Sequence, residues 1–324
     1  MDYKIYIFSD DILKGLTKFD LEKLNLIFAR TLNNISSFQI LPLEKGKDIL
    51  VEGNEIIFSE NDHLDGIIID NYQKLGKDKE MIEEQVVVFK KESQKTIFIP
   101  LESDLYLLEN ILQTTSKICQ FHLFGISKNE VSDKLENLKG EIKDLRYKVV
   151  SNNILTDIYL SYSGQGDMID DSQVKIASAF KAYMFSENDL GLEDIVFQLL
   201  KMRNLMISIC ENITKGTIVS SLLKNVDFNQ FLKKSEIHFF DSIDNNALHK
   251  YSLKLLEESG SDIAIVTAGQ TVEDKLNFVF AIADKKEVHF YKCSFTLTEG
   301  ASFMARNTLL YHLVKKLRQN DFSF

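Results

Sequence analysis

An α/β protein of more than one domain is the fold class this sequence predicts, and three observations predict it. Short apolar runs alternate with segments whose apolar residues recur at helical spacing, which is the patterning of α/β folds. The chain has 324 residues, 44% of them hydrophobic, which is long for one domain and enough for several cores. Residues 205–223, LMISICENITKGTIVSSLL, read as strand, turn and helix, and the rest of the chain is organised around them.

Taken in order, YKIYIF at 3–8 predicts a buried strand, and DLEKLNLIFARTLNNI at 20–35 predicts a helix with Leu21, Leu24, Ile27, Phe28 and Leu32 on one face. SFQILPL at 37–43 follows as a second strand, and LDGIIID at 64–70 is expected as a central strand because its apolar run barely alternates. KTIFIPLESDLYLLENIL at 95–112 reads as strand, turn and helix. So does the segment from 118, ICQFHLFGISKNEVSDKLENL, where Ser127 is the expected N-cap and Glu130 completes a capping box. ILTDIYLSYSG at 154–164 supplies the next strand. Residues 172–185 and 190–204 predict helices, the second with Leu192, Ile195, Val196 and Leu199 on one face.

Beyond the strand–turn–helix, DNNALHKYSLKLLEESG at 244–260 predicts a helix ended by Gly260. DIAIVTAG, NFVFAIA and EVHFYKCSF predict three strands. GASFMARNTLLYHLVKKLRQN predicts a closing helix whose basic end suits the helix dipole.

Composition excludes several classes. The net charge of -10 opposes general binding to a phosphate backbone, which needs clustered Lys and Arg, so nucleic acid is not an expected partner. The apolar runs are far shorter than the roughly 20 residues a membrane helix needs, and the first residues lack the basic and long apolar regions of a signal peptide; a cytoplasmic protein is expected. Cys119, Cys210 and Cys293 are far apart and never form a CxxC pair, which argues against a disulfide framework or a zinc site. The six histidines show neither HxH nor HxxxH spacing, so no metal site is expected.

The turn at Glu211, Asn212, Ile213, Thr214, Lys215 and Gly216 can hold an anion on the first N–H groups of its helix, with Thr214 a possible cap and Lys215 adding charge. Cys210 reads as a small core residue, because an apolar strand disfavours its thiolate. The same turn resembles Glu-Ser-Cys-Thr-Gly-Gly of the CinA (competence/damage-inducible) family, the nucleophile turn of its nicotinamide-nucleotide amidase domain. The resemblance extends over the chain at the level of element order. Asp11, Ile12, Leu13 and Gly15 fit a pattern that follows the family's first strand, Pro100 fits a later turn, and Gly125 with Ile126 fits a turn of a small KH-like module. It implies three domains: a reduced molybdopterin-binding-like α/β domain at 1–115, a KH-like α+β module at 116–165, and an amidase-like α/β domain at 166–324.

What the resemblance implies about function is qualified by the residues. The family's amidase uses a serine activated by a lysine, with a tyrosine nearby; here Asn212 stands at the serine, Phe240 at the tyrosine, and Asn245 or its neighbour at the lysine. Asn71, Tyr72, Gln73 and Lys74 replace the glycines of a phosphate-binding loop. Thr267, Ala268 and Gly269 survive at the family's Thr-Gly, but the Gly/Pro-rich loop that follows it in the family is cut back, and Arg306 lies where the family tends to carry Arg, with a salt bridge as its expected role. The implied reading is a pseudoenzyme that has lost nicotinamide mononucleotide deamidation, with Glu211, Thr214, Lys215, Gly216, Thr267, Gly269 and Arg306 as candidates to hold a small pyridine or adenine nucleotide. No cofactor is expected. The alternative is an active pyridine-nucleotide hydrolase, with divalent metal for ADP-ribose cleavage. A homodimer is implied by the family's habit and by apolar strands at sheet edges.

Overall fold

The computed structural model describes residues 1–9, 19–48, 53–71, 75, 78–82, 86–92, 94–112, 118–162, 171–187, 190–240, 244–298 and 300–319. They form mixed α/β structure with three sheets. The chain divides into two compact units, one of Met1–Cys119, Ser132–Val150 and Ile158–Ile176, the other of Gln120–Val131, Ser151–Asp157 and Ala177–Phe324.

The first unit contains a six-stranded sheet in the order β2-β1-β3-β6-β5-β4. Its strands are β1 (Asp2–Phe8), β2 (Asn34–Leu41), β3 (Asn54–Ser59), β4 (Asp78–Ile82), β5 (Val86–Lys91) and β6 (Gln94–Pro100). The first four in that order run parallel, and β5 and β4 turn back antiparallel. Helices α1 (Leu21–Arg30), α2 (Asn61–Asn71) and α3 (Tyr106–Leu112) accompany it. Tyr3, Ile5, Ile7, Ile56 and Phe58 lie in one core with Leu24, Ile27 and Phe28 of α1.

Two expectations are corrected here. Residues 64–70 are helical, not a strand: Leu64, Ile67, Ile68 and Asn71 are buried while Ile69 is 72% exposed, so burial follows the 3.6-residue period that the run of three isoleucines masks. The central strand is β3, NEIIFS, whose last five residues are all buried. The helix expected over 20–35 stops at Arg30, because Leu32 takes a left-handed φ of 54° and the buried Asn33 amide donates to Thr31 O and Leu112 O. Residues 34–36 then open β2.

The four-stranded sheet runs β10-β7-β9-β8, from β7 (Cys119–Phe124), β8 (Arg146–Asn152), β9 (Leu155–Ser161) and β10 (Met184–Ser186). Helix α4 (Lys128–Lys139) begins with the expected capping box: Glu130 N donates to Ser127 Oγ at 3.3 Å and Ser127 N to the Glu130 carboxylate at 3.1 Å. Helix α5 (Asp171–Phe180) is shorter than the pattern predicts, since Met184 and Phe185 belong to β10.

The second unit holds a five-stranded sheet in the order β12-β11-β13-β14-β15. It consists of β11 (Ile207–Glu211), β12 (Leu232–Ile237), β13 (Ile263–Val272), β14 (Lys275–Asp284) and β15 (Val288–Thr296). The first three are parallel, and β14 and β15 are antiparallel additions. Helices α6 (Leu192–Arg203), α7 (Thr217–Leu222) and α9 (Ala301–Arg318) bury Val196, Ile218 and Leu309 with Ile207, Ile209 and Ile265 of the sheet. Helix α8 (Asn245–Ser259) packs Leu248 and Leu255 with Val266 and Ala281. Gly260 ends it with a φ of 63°, as expected. No helix among the described residues is long and apolar enough to cross a membrane.

Candidate functional site

The expected strand–turn–helix is present, and its interior is already occupied. Every residue of β11 is buried, and the strand ends on Glu211, 1% exposed. The turn reverses through two left-handed residues, Lys215 at φ 49° and Gly216 at φ 89°. Only the second is a residue type that takes this conformation without steric cost. Helix α7 begins at Thr217 without a side-chain bond from its own cap residue.

Glu211 takes over that task. Its carboxylate accepts from Gly216 N at 3.0 Å, Ile218 N at 3.2 Å and Val219 N at 2.9 Å. The anion seat expected at this helix start is therefore filled by the chain's own carboxylate. Thr214 is not the cap: its carbonyl accepts from Thr217 N, and its hydroxyl is buried without a hydrogen-bond partner.

Asn212 is fixed from both sides. Its backbone N–H donates to Thr267 Oγ1 on β13 at 3.0 Å, and its side-chain amide donates to His238 O beyond β12 at 2.9 Å. Ile213 packs on Gly269, where an added Cβ would lie 2.8 Å from Ile213 Cγ2 and 2.8 Å from Asn277 O. Glu211, Asn212, Ile213, Thr267 and Gly269 thus meet at the C-terminal end of β11, where β13 runs on past its pairing with that strand, and the C-terminal ends of parallel strands are where sheets of this kind form their ligand crevice. Beside the turn, a groove of about 570 Å³ is lined by Gly216, Val219, Leu223, Lys224, Ser235 and Ile237, and not by Thr214, Lys215 or Thr267.

Phe240 belongs to an aromatic group. His238 stacks on Tyr251 at 4.7 Å, and Phe240 meets both rings edge-on at 4.8 and 5.1 Å. Tyr251 donates to Glu236 at 2.8 Å. Burial raises the Tyr251 hydroxyl above its usual range, with the Glu236 bond adding to the shift. Burial acts against ionised Glu236 too, yet the bonds from Lys234 and Tyr251 leave its carboxyl below the usual range. Burial pushes the Cys210 thiol up to about 12, as expected of a core cysteine. His238 and Tyr251 carried no motif that would have singled them out; His238 follows a strand, β12, that its charged sequence concealed.

The remaining candidates lie elsewhere. Asn245 is the exposed first residue of α8, whose cap is Asp244 accepting from Ala247 N at 2.8 Å. Arg306 reaches Glu193 of α6 at 3.5 Å and stacks over Phe303 at 4.9 Å, a salt bridge within the chain. In the first unit, β3 leads into α2 through Glu60, a connection without glycine. Asn71 ends α2, its amide donating to Gly46 O at 2.7 Å. Tyr72–Lys74, Asp11, Ile12, Leu13 and Gly15 lie outside the described residues. No group of three or more metal-ligating side chains occurs among the described residues.

No protein-family model matches the chain. It is 25% identical over 162 residues to a CinA-like protein of Sulfurihydrogenibium sp., which covers 49% of this chain and 38% of that protein. It is 35% identical over 69 residues to a competence-damage inducible protein of Finegoldia magna, covering 21% of this chain and 17% of that one. The chain therefore spans well under half the length of these curated relatives. Among solved structures, a CinA superfamily protein from Klebsiella pneumoniae is 18% identical, with 40% of this chain and 98% of that chain covered and a TM-score of 0.36. A counterpart from Escherichia coli is 17% identical, with 41% and 92% covered and a TM-score of 0.32.

Proposed function

We propose that this chain, a divergent member of the CinA (competence/damage-inducible) family, is a pseudoenzyme that has lost nicotinamide mononucleotide deamidation and acts through binding or assembly. The observation that carries the reading is the engagement of Asn212. An acyl-transfer nucleophile needs a free lone pair and a base to take its proton. The lone pair of the Asn212 amide nitrogen is delocalised into its carbonyl, and its N–H already serves His238 O. Phe240 brings no hydroxyl, Asn245 brings no basic nitrogen, and the N–H groups at 216, 218 and 219 are committed to Glu211.

The same reasoning extends to the first unit. A phosphate cradle relies on glycines that let backbone N–H groups approach the anion, and the connection from β3 through Glu60 to α2 has none. ADP-ribose cleavage with added divalent metal is therefore not expected. Purified protein incubated with nicotinamide mononucleotide is expected to release no ammonia above background. A robust ammonia signal that disappears in Asn212→Ala would sink the proposal. Thermal shift with nicotinamide mononucleotide, ADP-ribose and AMP reports separately on binding: a stabilisation abolished by Lys215→Glu would place a nucleotide at the turn, against the filled seat.

A further inference from the structure

We propose that the groove between α7 and β12 binds a single-chain amphiphilic carboxylate, its apolar chain lying along α7 and its carboxylate against Lys224. The inference concerns a groove outside the crevice and does not rest on the loss of chemistry there.

The first observation is shape. The groove measures about 570 Å³, within the range that takes a small ligand. Val219 and Leu223, four residues apart, line it from one face of α7 and its C-cap. Ser235 and Ile237, two residues apart, line it from one face of β12. Gly216 meets Ile237 at one end, where a Cβ on the glycine would lie 3.9 Å from Ile237 Cδ1. Lys224 follows eight residues later, about 12 Å along a helix axis. The result is an elongated slot with apolar side chains on both walls and a cation at the far end.

The second observation is charge. Residues 212–235 hold four lysines, Lys215, Lys224, Lys233 and Lys234, against one acid, Asp227, in a chain whose net charge is -10. Lys224 has no carboxylate partner among the described residues. The two acids that line the groove are both compensated. Glu211 is 1% exposed and holds three backbone N–H groups, while Glu236 pairs with Lys234 at 3.0 Å and accepts from Tyr251 at 2.8 Å. An ammonium ligand would have to compete for one of those acids. A carboxylate meets a lysine that is not engaged, with the exposed Ser220 one helical turn before it.

Together the two observations select the ligand class. The polar edges of a nucleotide's base and sugar would lie unpaired against Val219, Leu223 and Ile237, which is costly. A hydrocarbon chain gains from the same three side chains, and one negative charge at its end is what a single lysine answers.

The test is isothermal titration calorimetry of the full chain at low salt with decanoate, kept below its micelle concentration. Decylamine, which reverses the charge, and butyrate, which shortens the chain, serve as comparisons. Decanoate is expected to bind at one site, and each comparison ligand about tenfold or more weakly. Lys224→Glu is expected to reverse the preference between decanoate and decylamine. Ile237→Asp is expected to weaken decanoate about tenfold. Both side chains are exposed, so an unchanged circular dichroism spectrum is expected for each variant. The proposal is overturned if wild type does not bind decanoate, if it binds decylamine equally well, or if both variants keep the wild-type affinity. If one variant misfolds, the other decides. None of these readouts depends on ammonia release, so the proposal and the loss of deamidation stand or fall separately.

Discussion

Glu211 shows how much of this site is settled by single side chains. Its carboxylate is 1% exposed and meets three backbone donors. Glu211→Ala leaves those donors buried without an acceptor, at a cost of roughly 1–3 kcal/mol for each group left unsatisfied. Glu211→Gln keeps an acceptor oxygen and is expected to lose less. Urea denaturation of the two variants checks the order, and equal stability of Glu211→Ala and wild type would show that the cap is not used. His312 gives a second prediction. It lies among Tyr291, Phe280 and Tyr311, at ring distances of 4.2, 5.8 and 5.6 Å, and burial, reinforced by Lys315, lowers its pKa from 6.5 to about 4. A base whose folded pKa is depressed takes up its proton on unfolding, so its contribution to stability is full above pH 6.5 and falls between pH 6.5 and about 4. In His312→Phe that part of the decline is expected to flatten, which denaturation at a series of pH values measures.

Among the elements, glycines separate tolerance from constraint. Gly269 is held by contact: a Cβ there lies 2.8 Å from a backbone oxygen. Gly269→Ala is expected to destabilise by about 1–3 kcal/mol, the usual range for overpacking. Gly66 lies inside α2, and a Cβ there meets nothing within 4 Å. Gly66→Ala is expected to stabilise by up to about 1 kcal/mol through helix propensity; destabilisation would speak against a helix at Asn61–Asn71. That helix also marks where the sequence was hard to read. A run of Ile67, Ile68 and Ile69 fits a buried strand as well as a helix until the position of Ile69 in solvent is known. β8 and β12 were missed because each mixes charged with apolar residues and exposes part of its length, as RYKVVSN and LKKSEI. The long strands β13 and β14, the cap at Ser127 and the stop at Gly260 were legible, since local chemistry and tertiary packing agree there. At the candidate site the turn was visible from spacing. Its occupation by Glu211 was not, because a carboxylate accepting from residues 216, 218 and 219 looks in sequence like one more acid before a helix.

For the whole molecule, charge and shape make opposite suggestions about nucleic acid, and magnitude decides between them. The family resemblance implies a small KH-like module at 116–165, which would suggest RNA. A KH grip, however, depends on a Gly-x-x-Gly loop clamping the backbone of a single strand. Here Gly125 is followed by Ile126, Ser127 and Lys128, and Ser127 is committed to the Glu130 carboxylate at the start of α4. Affinity for a phosphate backbone grows with the number of phosphates neutralised by clustered cations, and it falls steeply with salt. A chain with 38 basic and 48 acidic residues has no general excess to offer, and its net charge of -10 repels the polyanion at long range. Several of its lysines are also engaged with acids, as Lys234 with Glu236 and Glu258, or Lys316 with Asp284 and Glu287. Fluorescence anisotropy with a labelled single-stranded RNA is therefore expected to show no binding at micromolar protein, at low salt as well as at physiological salt. Low salt is the demanding condition, because it strengthens any electrostatic contact. Binding that appears there and weakens linearly in log Kd against log salt would reveal a local basic track and overturn the exclusion, whereas a flat signal leaves small molecules and protein surfaces as the partners to pursue.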